Sequence, residues 1–214
     1  MSVLSFVRVG AASACLLAPA VMAAPFQNGS FELFEPAAAD LLCHLGISYC
    51  GQYNAGNSGI NGWVIGGNSV DEVGPLAWAA SAGSSSIDLS GADIGSISQT
   101  FDTLAGTIYR VTFDLGGNFY GGPALKTGTV SAASATQNFS FNNIASTASA
   151  MGWLPQLFTF TAAAASTTLS FISTTAGSAG PAIDNVTVSV VPEPSTWLLW
   201  LAGGLSLAAY ARRR

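Results

Sequence analysis

Few side chains in this sequence could do chemistry, and they are of three kinds. The first is a cysteine pair. Cys43 and Cys50 enclose six residues, among them His44, the only histidine of the chain. Oxidised, the pair would close a short loop, a local cross-link that stabilises by about 2 kcal/mol. A metal site with His44 is the alternative, one ligand short of a four-coordinate structural zinc. The second kind is carboxylate. Between residues 24 and 191 ten acids stand against two bases, Arg110 and Lys126, a net charge of −8 compared with −5 for the whole chain. Asp184 shares an alternating phase with Val186, Val188 and Val190. It is therefore expected to point inward, where a carboxylate costs several kcal/mol unless it is hydrogen-bonded, paired or metal-bound. With so few bases an ion pair is a scarce solution; calcium, or a turn whose N–H groups the carboxylate caps, would also answer it. The third kind is aromatic: Tyr53, Trp63, Trp78, Phe119, Tyr120 and Trp153. Rings that stay exposed beside Asn, Asp or Gln can stack on the apolar face of a sugar while the polar groups take its hydroxyls. Asn118-Phe119-Tyr120, inside a Gly-rich stretch, is the strongest such group; Trp63 and Trp153 read more readily as core.

Other chemistries find little support. A Ser-His-Asp hydrolase would need His44 to meet an activated serine, and there is no Gly-x-Ser-x-Gly turn. Gly116 to Pro123 is not a phosphate loop, since no Lys-Ser/Thr follows it and no helical pattern supplies a dipole. No catalytic residue is assigned. Paired carboxylates for glycoside hydrolysis, drawn from Glu32, Asp88 and Asp184, define the enzymatic alternative. An acidic, lysine-poor surface argues against nucleic acid as a partner.

The elements that must position these groups are strands. Tyr109, Val111, Phe113 and Leu115 alternate with Arg110, Thr112 and Asp114. Ile97, Gln99 and Phe101 do the same, as do Phe158 with Phe160 and Leu169 with Phe171; Ile87 and Leu89 flank Asp88. Period-two runs between Gly, Asn and Ser clusters mark an all-β sandwich. Asn54 to Asn61 and Gly116 to Pro123 read as loops, and Ala162 to Ala165 as a strand end or loop rather than a helix.

Both ends differ from this middle. Arg8 is followed by an apolar run, Val9 to Met22, and by Val21-Met22-Ala23, a small-residue cleavage site. Residues 1–23 thus read as a signal peptide, which implies the Sec export machinery as a partner. At the other end Pro192-Glu193-Pro194 precedes an uncharged stretch, 195–211, and then Arg212-Arg213-Arg214. As a helix those 17 residues would span roughly 25 Å, a little under a bilayer core. The arginines would stay on the cytoplasmic side. Residues 192–214 closely resemble the PEP-CTERM sorting signal, carried by the Pro-Glu-Pro, the apolar stretch and the terminal arginines in that order. That resemblance implies an exosortase that cuts near Pro192-Glu193-Pro194 and releases or re-anchors the protein.

The middle, residues 24–191, resembles the choice-of-anchor C family of PEP-CTERM proteins and, more remotely, galactose-binding-like jelly rolls. The residues that carry this are Asn28 to Glu32, Gly62-Trp63, Ser86 to Gly91, Gly95 to Phe101, Tyr109 to Asn118, Met151 to Trp153 and Gly180 to Val186. It implies a jelly roll of about eight strands. It also implies, by analogy with modules whose first and last strands share a structural calcium, Glu32 and Asp184 as candidate Ca²⁺ ligands. The resulting expectation is an exported, non-enzymatic surface or matrix protein, inner-membrane-anchored as a precursor, that binds extracellular polysaccharide in a biofilm. The competing classes are a secreted carbohydrate-active enzyme and a purely structural coat protein.

Overall fold

The alternating run at Tyr109 to Leu115 forms the middle of the molecule, strand Ile108–Gly117, with Tyr109, Val111, Phe113 and Leu115 all buried. In this computed structural model residues 24–34 and 50–192 are described. The signal segment, Cys43, His44 and the tail from Glu193 onward lie outside them. Among the described residues eleven strands run in chain order: β1 Gln52–Asn54, β2 Val64–Gly67, β3 Ser69–Val73, β4 Ser86–Asp88, β5 Gly95–Asp102, β6 Ile108–Gly117, β7 Leu125–Ala132, β8 Ala135–Asn142, β9 Leu154–Thr161, β10 Ser166–Ser173 and β11 Pro181–Val190. They make two antiparallel sheets, ordered β1-β3-β4-β11-β6-β9 and β2-β5-β10-β7-β8. The described residues contain no helix, so the all-β sandwich expected from the sequence is what forms.

The core lies between the sheets. Val111, Phe113, Leu115 and Ile183 from one sheet meet Ile97, Phe101, Val130, Leu169 and Phe171 from the other. Phe171 packs edge-on to Phe113 at 5.0 Å between ring centroids. Trp63 is core, as expected: it is 1 % exposed, packs against Phe31 with the rings tilted by 43° and donates from Nε1 to the Asn28 carbonyl.

Two differences from the sequence reading matter for function. The strand count among the described residues exceeds the eight or so that the resemblance implied, and the β7–β8 hairpin is among the strands that apolar alternation did not mark. Lys126 and Gly128 occupy inward positions of β7, and the turn uses Ala133, at φ 50°, where Asn or Gly usually signals a hairpin. The second difference is a correction. Asp184 does not share its face with Val186 and Val188. A β-bulge between Asp184 and Thr187, with Asn185 at φ 51°, inserts a residue into the alternation. Ile183 pairs with Leu115 and Val188 with Val111 on the core face, whereas Asp184 pairs with Asp114 on the opposite face. Asp184 is fully buried all the same, because the loop around Ser81 to Ser85 folds over it.

Candidate functional site

The outer face of the six-stranded sheet carries a second, smaller layer. Antiparallel register places Asp71 of β3, Asp88 of β4, Ala182 of β11 and Gly116 of β6 in one row across that face. Over it pack Val73, Trp78 and Met151, with Phe119 and Trp153 beside them. The paired glycines at the end of β6 are sites of close approach. A Cβ on Gly116 would meet the Trp153 ring at 2.9 Å on the outer side, and one on Gly117 would meet Lys126 Cγ at 2.7 Å on the inner side. Trp153 is therefore half-buried in this layer rather than in the sandwich core, and its Nε1 donates to the Ala79 carbonyl.

At the edge of this layer opens a cleft of about 460 Å³, lined by Cys50, Gln52, Asp71, Glu72, Val73, Gly74, Leu76, Ala77, Trp78, Asn118 and Tyr120. That volume suits one or two sugar rings and falls within the usual range of small-molecule pockets. Tyr120 is 64 % exposed. Its hydroxyl donates to the Ala77 carbonyl at 2.9 Å, its ring lies at 22° to Trp78, and Phe119 packs against it at 4.3 Å. The ring is thus an exposed platform whose orientation is fixed before any ligand arrives.

The polar groups divide into those that build the cleft and those left to face it. Asn118 Nδ2 donates to Asp88 Oδ2 at 2.7 Å, and Asn118 Oδ1 accepts from the Tyr120 amide at 2.9 Å. Its amide therefore holds the cleft wall together. Asp88 is fully buried behind it, and its Oδ1 accepts from the Ser90 and Gly180 amides. Burial, with the neighbouring Asp71 charge, pushes Asp88 up to about 7 against the pull of these donors. Lys126 also lies behind the wall, fully buried, with Nζ donating to the Gly121 and Ala179 carbonyls. Burial lowers its pKa, and Asp88 opposes the shift. Asp71 lines the cleft itself. Desolvation raises it to about 6, and its buried Oδ1 has no hydrogen-bond partner. Glu72 accepts from the Tyr53 hydroxyl at 3.1 Å.

Of the sequence candidates, Asn118 and Tyr120 do come together at one site, with Trp78. Phe119 does not line the cleft; half-buried, it packs against the Trp78 and Tyr120 rings. Tyr53 packs on Phe34 and hydrogen-bonds Glu72. Asp71 and Gln52 were missed. The run Ser69-Val70-Asp71-Glu72-Val73 puts acids on both faces of one strand, and that doubled acid was the available signal. Cys50 is disulfide-bonded at the cleft rim, while Cys43 and His44 lie outside the described residues. Pro192, at the last described position, is exposed; Glu193, Pro194, Arg212, Arg213 and Arg214 lie beyond it.

Glu32 and Asp184 are also brought to one loop, but not as a cation site. Glu32 Oε1 accepts from the Ser84 and Ser85 amides, both at 2.9 Å, and Oε2 from the Ser84 hydroxyl. Asp184 Oδ2 accepts from the Ser81 and Ala82 amides and Oδ1 from the Asn185 amide. Burial raises Asp184 to about 7. A calcium ion needs lone pairs aimed at it, and here they are taken up by backbone N–H groups and the Ser84 hydroxyl, so the pair does not fit a calcium site. Among the described residues no group of three or more His, Cys, Asp or Glu gathers to hold a metal. The calorimetric midpoint is accordingly expected to stay unchanged on adding EDTA or excess Ca²⁺. Glu32→Ala, by contrast, should lower it by an amount equivalent to about 2 kcal/mol as the loop loses its cap.

These features define a class: a two-sheet sandwich with a preformed aromatic and acidic cleft, followed directly by a sorting tail. The chain belongs to the family described as "Protein of unknown function (DUF642)", whose model matches residues 24–189. The choice-of-anchor C label is not confirmed. A second model, the PEP-CTERM protein-sorting motif, matches residues 190–214; this motif is that of an exported protein and implies exosortase processing. Halomucin of Haloquadratum walsbyi is 35 % identical over 175 residues, which are 78 % of this chain but 2 % of that protein's length. Three solved structures are also similar. One is a family 61 carbohydrate-binding module in complex with β-1,4-galactotriose (TM-score 0.49, 13 % identity, 78 % of this chain and 97 % of that one). Another is the CBM22-1 xylan-binding domain of Paenibacillus barcinonensis Xyn10C (0.44, 14 %, 66 % and 94 %). The third is a family 35 module from Clostridium thermocellum (0.43, 14 %, 67 % and 100 %).

Proposed function

We propose that this is a non-enzymatic, surface-displayed protein that binds extracellular polysaccharide through the Tyr120 cleft. It would be exported through residues 1–23, anchored as a precursor by the tail at 195–211, then processed by exosortase at Pro192-Glu193-Pro194, with Cys43 as the partner of Cys50. The observation that carries the reading is the exposed Tyr120 ring, locked by Trp78 and the Ala77 carbonyl beside Asp71 and Gln52. A fixed ring loses little entropy on stacking, and the polar neighbours can take hydroxyls at its edge. Catalysis is a poorer fit. Asp88, the carboxylate paired across strands with Asp71, is sealed behind Asn118 with both oxygens occupied.

Display geometry supports the same reading. Strand β11 starts at Pro181, opposite Gly117 at the cleft end, and finishes at Val190, opposite Tyr109. Ten strand residues extend about 33 Å. The Val191 amide still bonds the Ile108 carbonyl, and the Ala24 carbonyl accepts from Asp102 near the same end. Ala24 and Val191, near the two ends of the described residues, therefore lie at the end of the sandwich opposite the cleft. A tail anchored there would turn the cleft away from the membrane. A glycan array followed by titration calorimetry tests the reading: at least one oligosaccharide should bind, and Tyr120→Ala should weaken it about tenfold, the worth of one stacking contact. Undiminished binding by Tyr120→Ala would refute the site.

A further inference from the structure

The end of the sandwich away from the cleft is built from turns whose own residues carry no charge. The β5–β6 turn is Thr103-Leu104-Ala105-Gly106-Thr107, and the β9–β10 turn is Ala162-Ala163-Ala164-Ala165. Backbone bonds fasten the two together. The Gly106 amide donates to the Ala162 carbonyl, the Ala162 amide to the Thr107 carbonyl and the Thr103 amide to the Ala165 carbonyl. Among the described residues here, Leu104, Ile108 and Val190 stay 69, 46 and 54 % exposed. All three adjoin Tyr109: its hydroxyl accepts from the Leu104 amide, Ile108 precedes it on β6, and Val190 is its register partner on β11. Two described charges lie close by along the strands. Asp102 is the last residue of β5, and Arg110, exposed, stands two residues inside β6. Single apolar side chains on a surface are ordinary. This group differs because of the tether beside it. The Val191 amide is still bonded to the Ile108 carbonyl, and the uncharged stretch begins at residue 195, four residues on. Four residues reach at most about 14 Å. The polar layer of one leaflet is itself about 5–7 Å deep. With residue 195 at the hydrocarbon boundary, Val191 stands no more than roughly 9 Å outside the headgroups even when the connection is pulled straight. Any relaxed connection brings this end among them. The 17-residue stretch, a little short for a bilayer core, would draw the domain closer still.

We propose that, while the tail is uncut, this end docks on the phospholipid surface, with Leu104, Ile108 and Val190 entering the headgroup layer and Arg110 facing lipid phosphate. Once the tail is inserted the contact is intramolecular, so a patch too small to hold a free domain suffices. Cutting the tail removes that advantage and frees the domain. The proposal rests on the reading of 195–211 as a membrane anchor, and the experiment separates the two. The full-length chain, with Leu104 replaced by the photoreactive p-benzoylphenylalanine, is reconstituted into vesicles of phosphatidylethanolamine and phosphatidylglycerol, floated on a density gradient and irradiated. The same probe in place of Ile144 is the reference; Ile144 is exposed next to Asn143, which bonds Asn118 at the cleft end. Mass spectrometry identifies what each probe captures. Phospholipid adducts are expected at position 104 in about tenfold excess over position 144, which lies roughly a strand length farther from the membrane. Ile108→Glu combined with Val190→Glu should lower the yield at position 104 by about tenfold, since two apolar side chains leave the headgroup layer. In a chain that floats, equal lipid capture at the two positions, or capture of a second copy of the chain in place of lipid at position 104, overturns the docking and leaves the anchor standing. An unchanged yield in the double variant overturns the assignment to these side chains. A chain that does not float with the vesicles removes the anchor, and the docking with it. Melting curves confirm that each variant is folded.

Discussion

Replacing Asp88 by alanine is expected to destabilise the domain by roughly 3–5 kcal/mol, lowering its midpoint by on the order of 10 °C. The residue is fully buried, and three donors converge on it: the Ser90 and Gly180 amides and Asn118 Nδ2. Alanine would leave all three without a partner in a recess where water enters poorly, and each such group costs about 1–3 kcal/mol. The damage would not stay local. The Gly180 amide precedes β11, the Ser90 amide follows β4, and Asn118 carries the turn that aims Tyr120. Loss of stability and of glycan binding should therefore appear together. Asp88→Asn should be milder. Its oxygen can keep both backbone donors, while its amide nitrogen would face Asn118 Nδ2, leaving one repulsive contact in place of three orphaned groups. Urea denaturation of the three forms ranks them. A loss below about 1 kcal/mol in Asp88→Ala would show that the donors find other partners.

The second large effect is on pH. Asp88 and Asp184 are raised to about 7 by burial, and Asp71 to about 6. Between the ordinary carboxylate value of 3.8 and these values the folded chain holds protons that the unfolded chain has already released. Raising the pH through that window therefore favours unfolding. The stabilisation is complete below about pH 4 and gone above about pH 7. For Asp88 alone the change between pH 5 and pH 8 is on the order of 2–3 kcal/mol. The domain should melt several degrees lower at pH 8 than at pH 5, opposite to the usual acid lability of salt-bridged carboxylates. Asp88→Asn, which cannot titrate, should remove the Asp88 share of the slope and leave the comparable share of Asp184. A midpoint that rises between pH 5 and pH 8 would mean that the N–H donors outweigh burial and hold these groups ionised.

How far the sequence revealed this molecule depended on whether a feature was local. The β6 alternation of Tyr109, Val111, Phe113 and Leu115 was legible because one strand with one buried face repeats every two residues. The β7 strand was not, since its inward positions include Lys126, whose stem is accommodated by the missing side chain of Gly117 on another strand. Asp184 was correctly read as buried and placed on the wrong face: a single bulge at Asn185 reverses every phase before it. Tyr120 stood out within its glycine-rich stretch. Asp71 and Gln52 did not, because the cleft exists only where residues 50–52, 71–78 and 118–120 meet, and no local pattern encodes that meeting. The tail was readable in full as a motif, for it depends on order along the chain and not on folding.

The central claim is that glycan is held at the Tyr120 cleft. Its most direct test is amide hydrogen exchange on the chain with and without the tightest-binding oligosaccharide. The prediction is slowed exchange confined to residues 71–78 and 118–120 around the cleft. Protection located instead on the outer face of β2-β5-β10-β7-β8, with residues 71–78 and 118–120 unchanged, would contradict the account.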